Sequence, residues 1–87
     1  MRIVAFHADA FTDFTNWANE NAKVFERIRL LIKEAARTPF EGVGKPEPLK
    51  HQAKGCWSRR INDEHRLVYS VTDEMIIILS CKYHYEK

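Results

Sequence analysis

Glu47 stands between two prolines and two lysines in the run Lys45-Pro46-Glu47-Pro48-Leu49-Lys50. Each proline ring locks its own φ, so a carboxylate held between two of them is given a fixed direction, as acid-base chemistry requires. Read alone, the hexamer more often marks an exposed turn. Its interest comes from other residues in the chain, namely Arg60, Arg66 and the C-terminal run Tyr83-His84-Tyr85. A carboxylate base, an imidazole acid and fixed cations are the minimum set for cutting RNA through its own 2′-hydroxyl. One group removes the 2′-proton, one protonates the departing 5′-oxygen, and the cations hold the phosphorane charge. The candidates for that set are Glu47, Lys50, Arg60, Arg66, His84 and Tyr85. A nearby phosphate would keep His84 as the imidazolium that an acid must be. Surrounding lysines and arginines would hold Glu47 ionised, ready to accept a proton but weakly basic. His7, His51 and His65 border loops or a strand end and are given no catalytic role.

Positioning falls to two successive β-hairpins, Gly55 to Tyr69 and His65 to Tyr85. Strand side chains alternate between faces. Odd positions supply Trp57, Ile61, Leu67, Tyr69, Val71, Ile77, Leu79, Cys81 and Tyr83, a core face; even positions supply Ser58, Arg60, Arg66, Ser70, Ser80, Lys82 and His84, a cationic and hydroxylated one. Like parity on one face requires odd loops, predicted as Asn62-Asp63-Glu64 and Thr72-Asp73-Glu74. Ile76, Ile78 and Arg59 break the scheme. A three-residue first loop sets Arg60 opposite Arg66, a repulsion of up to about 1 kcal/mol that an anionic ligand would relieve.

Upstream, Arg2 to Phe6 reads as a short strand and Asp9 as the cap of a helix carrying Ala10, Phe11, Phe14, Trp17 and Ala18. After Asn19-Glu20-Asn21 a second helix runs from about Ala22 to Arg37, with Val24, Phe25, Ile28, Leu31, Ile32 and Ala35 on one stripe and a charged, solvated opposite side. All three prolines and all three glycines then fall between residues 39 and 55, which excludes a long helix or a central strand there. The expected class is α+β, in the order β-α-α-β-β-β. Two N-terminal helices cover one face of a small antiparallel sheet, and the cationic face stays open as a cleft.

The 87 residues leave room for one domain, 1–87, and a hydrophobic fraction of 45% gives it a core. Net charge is only +2, so any affinity for nucleic acid must come from the placement of charge and not its total. Cys56 and Cys81 have opposite parity, which argues against a bridge and for small buried thiols in a reducing cytoplasm. Neither CxxC spacing nor clustered histidine suggests a metal, and no apolar run has the length of a membrane span.

The runs Arg37-Thr38-Pro39-Phe40-Glu41-Gly42, Gly44-Lys45-Pro46-Glu47-Pro48-Leu49-Lys50-His51, Trp57-Ser58-Arg59-Arg60-Ile61, Glu64-His65-Arg66-Leu67-Val68-Tyr69 and Tyr83-His84-Tyr85 closely resemble the YoeB/Txe family. These are RelE-like toxins of bacterial toxin-antitoxin modules, and the resemblance spans about Ile28 to Tyr85. It implies a RelE-like fold and a ribosome-dependent mRNA endonuclease needing no cofactor. Such a toxin cuts the codon in the A site of the 70S ribosome and is silenced by a cognate, YefM-like antitoxin whose C-terminal segment covers the cleft. Matched by position, Glu47 is the general base, His84 the general acid, Arg66 the phosphate-stabilising arginine and Tyr85 an orienting, base-stacking tyrosine, with Lys50 and Arg60 as accessory cations. Dimerisation is implied too. One departure is the continuation Glu86-Lys87 beyond the His-Tyr pair that commonly ends the family's sequences, which brings an extra carboxylate near the site. The competing reading is a non-catalytic RelE-like module that docks on a protein target or an antitoxin; it has no use for an acid and a base across one phosphate.

Overall fold

The two stretches with apolar residues at spacings of three and four form helices in the computed structural model, which describes residues 1–50 and 55–83. Helix α1 spans Ala8–Glu20 and α2 spans Ala22–Arg37. Along α2, Ile28, Leu31, Ile32 and Ala35 make the buried stripe, Val24 and Phe25 are half-buried beside it, and Lys23, Glu26, Arg29 and Lys33 face solvent. Helix α1 buries Ala10 and Trp17 and half-buries Phe14, while Phe11 stays exposed. Asn21 divides them because its side-chain oxygen accepts from the amides of Lys23 and Val24, at 3.1 and 3.2 Å, and so caps α2. A cap of this kind is worth about 1 kcal/mol. Asp9, expected as the cap of α1, lies instead in its first turn; the cap residue is His7, which makes no side-chain bond. From there Asp9 acts on the helix dipole.

Five strands form one sheet: β1 Ile3–Phe6, β2 Glu47–Pro48, β3 Cys56–Arg60, β4 Arg66–Val71 and β5 Met75–Ser80, in the spatial order β1-β5-β4-β3-β2. The helices and the sheet's inner face share a core that includes Trp17, Ile28, Leu31, Leu67, Tyr69 and Ile78. Three pairings are antiparallel, but β1 runs parallel to β5, so the sheet is mixed and not wholly antiparallel. Parallel neighbours need a long crossover, which the intervening helices and hairpins provide. The punctuated region contributes only the two-residue edge strand β2.

The first hairpin has the expected register. Arg60 pairs with Arg66 and Trp57 with Tyr69, and the Ile61 amide donates to the His65 carbonyl at 3.0 Å, leaving Asn62-Asp63-Glu64 at the tip. The second hairpin does not. Val71 pairs with Ile76, because Thr72 closes a four-residue turn: its amide donates to the Met75 carbonyl at 2.9 Å and its hydroxyl accepts from the Met75 amide at 3.0 Å. Parity therefore reverses along β5, and Ile76 and Ile78, not Ile77, turn into the core. Tyr69 pairs with Ile78 but Val68 with Ser80, so Leu79 is a bulge that restores the original parity and returns Cys81 to the core. Both cysteines are buried and free.

Candidate active face

The registers of β2, β3 and β4 decide which charged side chains share a face. Glu47 lies beside Ser58, Ser58 beside Val68, and Arg60 beside Arg66. Alternation then sets Glu47, Arg60 and Arg66 on the side away from the helices, while Tyr69 and Ile78 point to the core. Two strand spacings across and two residues along put the Glu47 and Arg66 Cα atoms about 12 Å apart, leaving room for a phosphodiester between their side chains.

This face is uneven. Val68 is fully buried, Ser58 nearly so, and the Ser80 hydroxyl is enclosed without a partner among the described residues. Arg60 and Arg66 are half-buried, whereas Glu47 and Lys50, just beyond β2, are exposed. Arg60 donates to Asp63 at 2.6 Å, so part of the expected Arg60–Arg66 repulsion is offset within the hairpin. Asp63 is itself 96% exposed, and such a screened pair adds little stability. Among the described residues the Arg66 side chain makes no ion pair, which leaves its charge for an anion.

A buried cation holds the segment leading to Glu47. Arg59 is 0% exposed and has no carboxylate partner among the described residues. Its Nη1 donates to the Val43 carbonyl at 2.9 Å, its Nη2 to Thr38 and Glu41 carbonyls at 2.5 and 2.9 Å, and its Nε to the Tyr69 hydroxyl at 2.9 Å. Tyr69 in turn donates to the Pro39 carbonyl at 2.7 Å. Burial pushes the Tyr69 phenol up, against an opposing pull from Arg59. One guanidinium fork thus satisfies the carbonyls of a loop that has few of its own bonds. Gly44 closes the loop on α2 and β3: a Cβ there would stand 2.9 Å from the Leu31 side chain, and its φ is +88°. The Gly44 carbonyl accepts from the Arg60 amide at 2.7 Å, and Lys45 follows with φ +52°, a left-handed residue costing about 1 kcal/mol or more. The chain then turns into Pro46 and Glu47.

The other approach is the segment after β5. Trp17 Nε1 donates to the Cys81 carbonyl at 3.0 Å, and the Cys81 thiol donates to the Ala10 carbonyl at 3.7 Å. Burial, with Asp13 adding to it and Lys82 opposing, pushes that thiol up to about 12, so it is inert as a nucleophile. Lys82 lies over the Trp17 and Tyr83 rings. The Tyr83 amide donates to His65 Nδ1 at 2.6 Å, and the Tyr83 carbonyl accepts from the Arg66 amide at 3.2 Å. The described chain ends there, beside Arg66; His84 and Tyr85 lie outside the described residues. Among those described, no three of His, Cys, Asp and Glu gather as metal ligands, and no helix is long and apolar enough to cross a membrane.

A family profile for the YoeB-like toxin of bacterial type II toxin-antitoxin systems matches residues 6–85. The chain belongs to that family. Toxin YoeB of Escherichia coli K12 is 52% identical over 77 residues, covering 88% of this chain and 92% of that protein. Among solved structures, the YoeB dimer from Staphylococcus aureus is 46% identical with a TM-score of 0.89, over 97% of this chain and 98% of the other. YoeB in the YoeB-YefM complex from the same organism is 46% identical with a TM-score of 0.86, over 98% and 99%. Two helices against a five-stranded mixed sheet are the YoeB and RelE-like fold. Of the site residues named from sequence, Glu47, Arg60 and Arg66 share one face of this YoeB-family sheet and Lys50 borders it. Periodicity alone missed the residues that hold the approaches, Arg59, Tyr69, Trp17 and His65. Arg59 had left a trace as a charge at a core-parity position.

Proposed function

We propose that this YoeB-family chain is a ribosome-dependent endoribonuclease that cuts mRNA at the codon in the A site. What supports it is the sharing of one sheet face by Glu47 and Arg66, with the segment that carries the tail bonded to Arg66 through its backbone. In this scheme Glu47 takes the proton of the 2′-hydroxyl and the freed oxygen attacks phosphorus. Arg66, assisted by Arg60 and Lys50, offsets the phosphorane charge. His84 gives its proton to the departing 5′-oxygen, so the products are a 2′,3′-cyclic phosphate and a 5′-hydroxyl. Tyr85 orients the substrate by stacking on a base. The 87 residues act as one toxin domain in the cytoplasm. The S. aureus YoeB structures, one a dimer and one a complex with YefM, extend here to a homodimer and a YefM-like antitoxin as partners.

The test is cleavage of a defined message on purified ribosomes by wild type, Glu47→Ala, Arg66→Ala and His84→Ala. Each substitution is expected to slow cleavage by about 10²-fold to 10⁴-fold without loss of folding. Cutting by all three at the wild-type rate would end the assignment of these residues, and no cutting by the wild type would end the nuclease reading. Growth arrest by variants that do not cut would instead favour docking on a protein target.

A further inference from the structure

We infer that His65 is a positioning residue, whose Nδ1 holds the backbone of Tyr83 and so sets the direction in which the catalytic tail leaves the fold. The inference rests on the nuclease reading above, in which His84 is the acid. Three observations carry it. His65 is only 6% exposed and its ring lies between those of Trp17 and Tyr83, at centroid distances of 5.0 and 5.2 Å. Its Nδ1 accepts the Tyr83 amide at 2.6 Å, and its Nε2 lies 3.6 Å from Glu64 Oε1. Tyr83 has φ +61°, a conformation that a tyrosine rarely keeps unless its surroundings enforce it.

The enforcement is visible on both sides of that residue. The Tyr83 amide is tied to His65 and its carbonyl to the Arg66 amide at 3.2 Å, so consecutive residues of β4 and the turn before it grip one strained residue. Asn62 fixes the grip from behind, its side-chain oxygen accepting from the amides of Glu64 and His65 at 2.9 and 2.8 Å. Without the Nδ1 acceptor the Tyr83 amide would be left unsatisfied, and the left-handed turn would relax toward an ordinary conformation. The tail would then leave at another angle. A shift of about 1 Å in a reacting group costs on the order of 10²-fold in rate.

Two substitutions separate the acceptor from the ring. His65→Phe keeps the ring between Trp17 and Tyr83 but removes the acceptor; His65→Asn loses the ring but offers an oxygen where Nδ1 stood. On programmed ribosomes, His65→Phe is expected to lower kcat about 10-fold to 100-fold with KM for the ribosome within about twofold, and His65→Asn to recover most of that loss. Hydrogen exchange at the Tyr83 amide reads the latch without activity: slow in wild type and His65→Asn, fast in His65→Phe. Protection unchanged in His65→Phe overturns the latch, and protection lost with kcat unchanged overturns the positioning role. Equal cleavage by wild type and His84→Ala would break the acid assignment instead, while Tyr83 exchange would still decide the latch.

Discussion

The loop that ends at Glu47 and the segment that ends at Tyr83 flank the β3–β4 hairpin from its two sides, and they are held by different means. The loop is gathered around a single buried guanidinium that donates to three of its carbonyls, and Gly44 is wedged against α2 and β3. The tail segment is held by single bonds from separate side chains, Trp17 to Cys81 and His65 to Tyr83, with one backbone bond at Arg66. Removing one residue can therefore undo the first arrangement, whereas the second can lose a contact and keep the others. In the proposed reaction the base must sit still against its substrate, which a loop gathered on one buried guanidinium provides.

The largest effect expected from breaking this contrast is at Arg59. Arg59→Met keeps much of the volume but strands the carbonyls of Thr38, Glu41 and Val43, a loss of about 3 kcal/mol, or roughly 12 to 24 °C in Tm for a domain this size. Calorimetry checks the size, and exchange at the Tyr83 amide should stay slow, since the tail's contacts are elsewhere. Trp17→Phe sharpens the comparison from the other side. It removes the donor to the Cys81 carbonyl and should cost about 1 to 2 kcal/mol in a urea melt while leaving the Arg59-held loop intact. Asn21→Ala touches neither approach. Loss of that cap is expected to lower stability by about 1 kcal/mol with kcat unchanged, which calibrates how much instability alone affects cleavage.

The smallest effect at neutral pH belongs to Cys81. Its folded pKa is raised from the ordinary thiol value of 9.0 to about 12, so the neutral thiol stabilises the fold fully below pH 9. That contribution is lost as pH rises from there toward 12, because the unfolded chain gives up its proton first. Urea melts at pH 8 and pH 10.5 should show a larger drop for wild type than for Cys81→Ala. Cys56 and Tyr69, also pushed up by burial, act with the same sign in both proteins.

How much of this was legible in the chain depended on the range of the interaction. Helix α2 was readable to its boundaries because its stripe is local and Asn21 announces its start. The first hairpin was readable because an odd tip keeps one parity through Arg60 and Arg66. The second was not, since the Thr72 turn and the Leu79 bulge each shift parity by one residue and composition carries no record of either. Ile76 and Ile78 were the only trace, and they had looked like exceptions. The parallel partner of β1 could not be read from four apolar residues. At the site, the shared face of Glu47, Arg60 and Arg66 follows from spacing once β2 is seen to pair with β3. The grip of His65 on Tyr83 joins residues 18 apart through a tertiary contact that no periodicity encodes.

A double-mutant cycle on Glu47 and His84, measured as single-turnover cleavage on programmed ribosomes, tests most directly whether the two approaches serve one reacting phosphate. Groups that act as a unit are strongly non-additive, so Glu47→Ala with His84→Ala should cut no more than a few-fold slower than the worse single variant. Losses that multiply in full, or single variants that cut as fast as wild type, would contradict a common active centre.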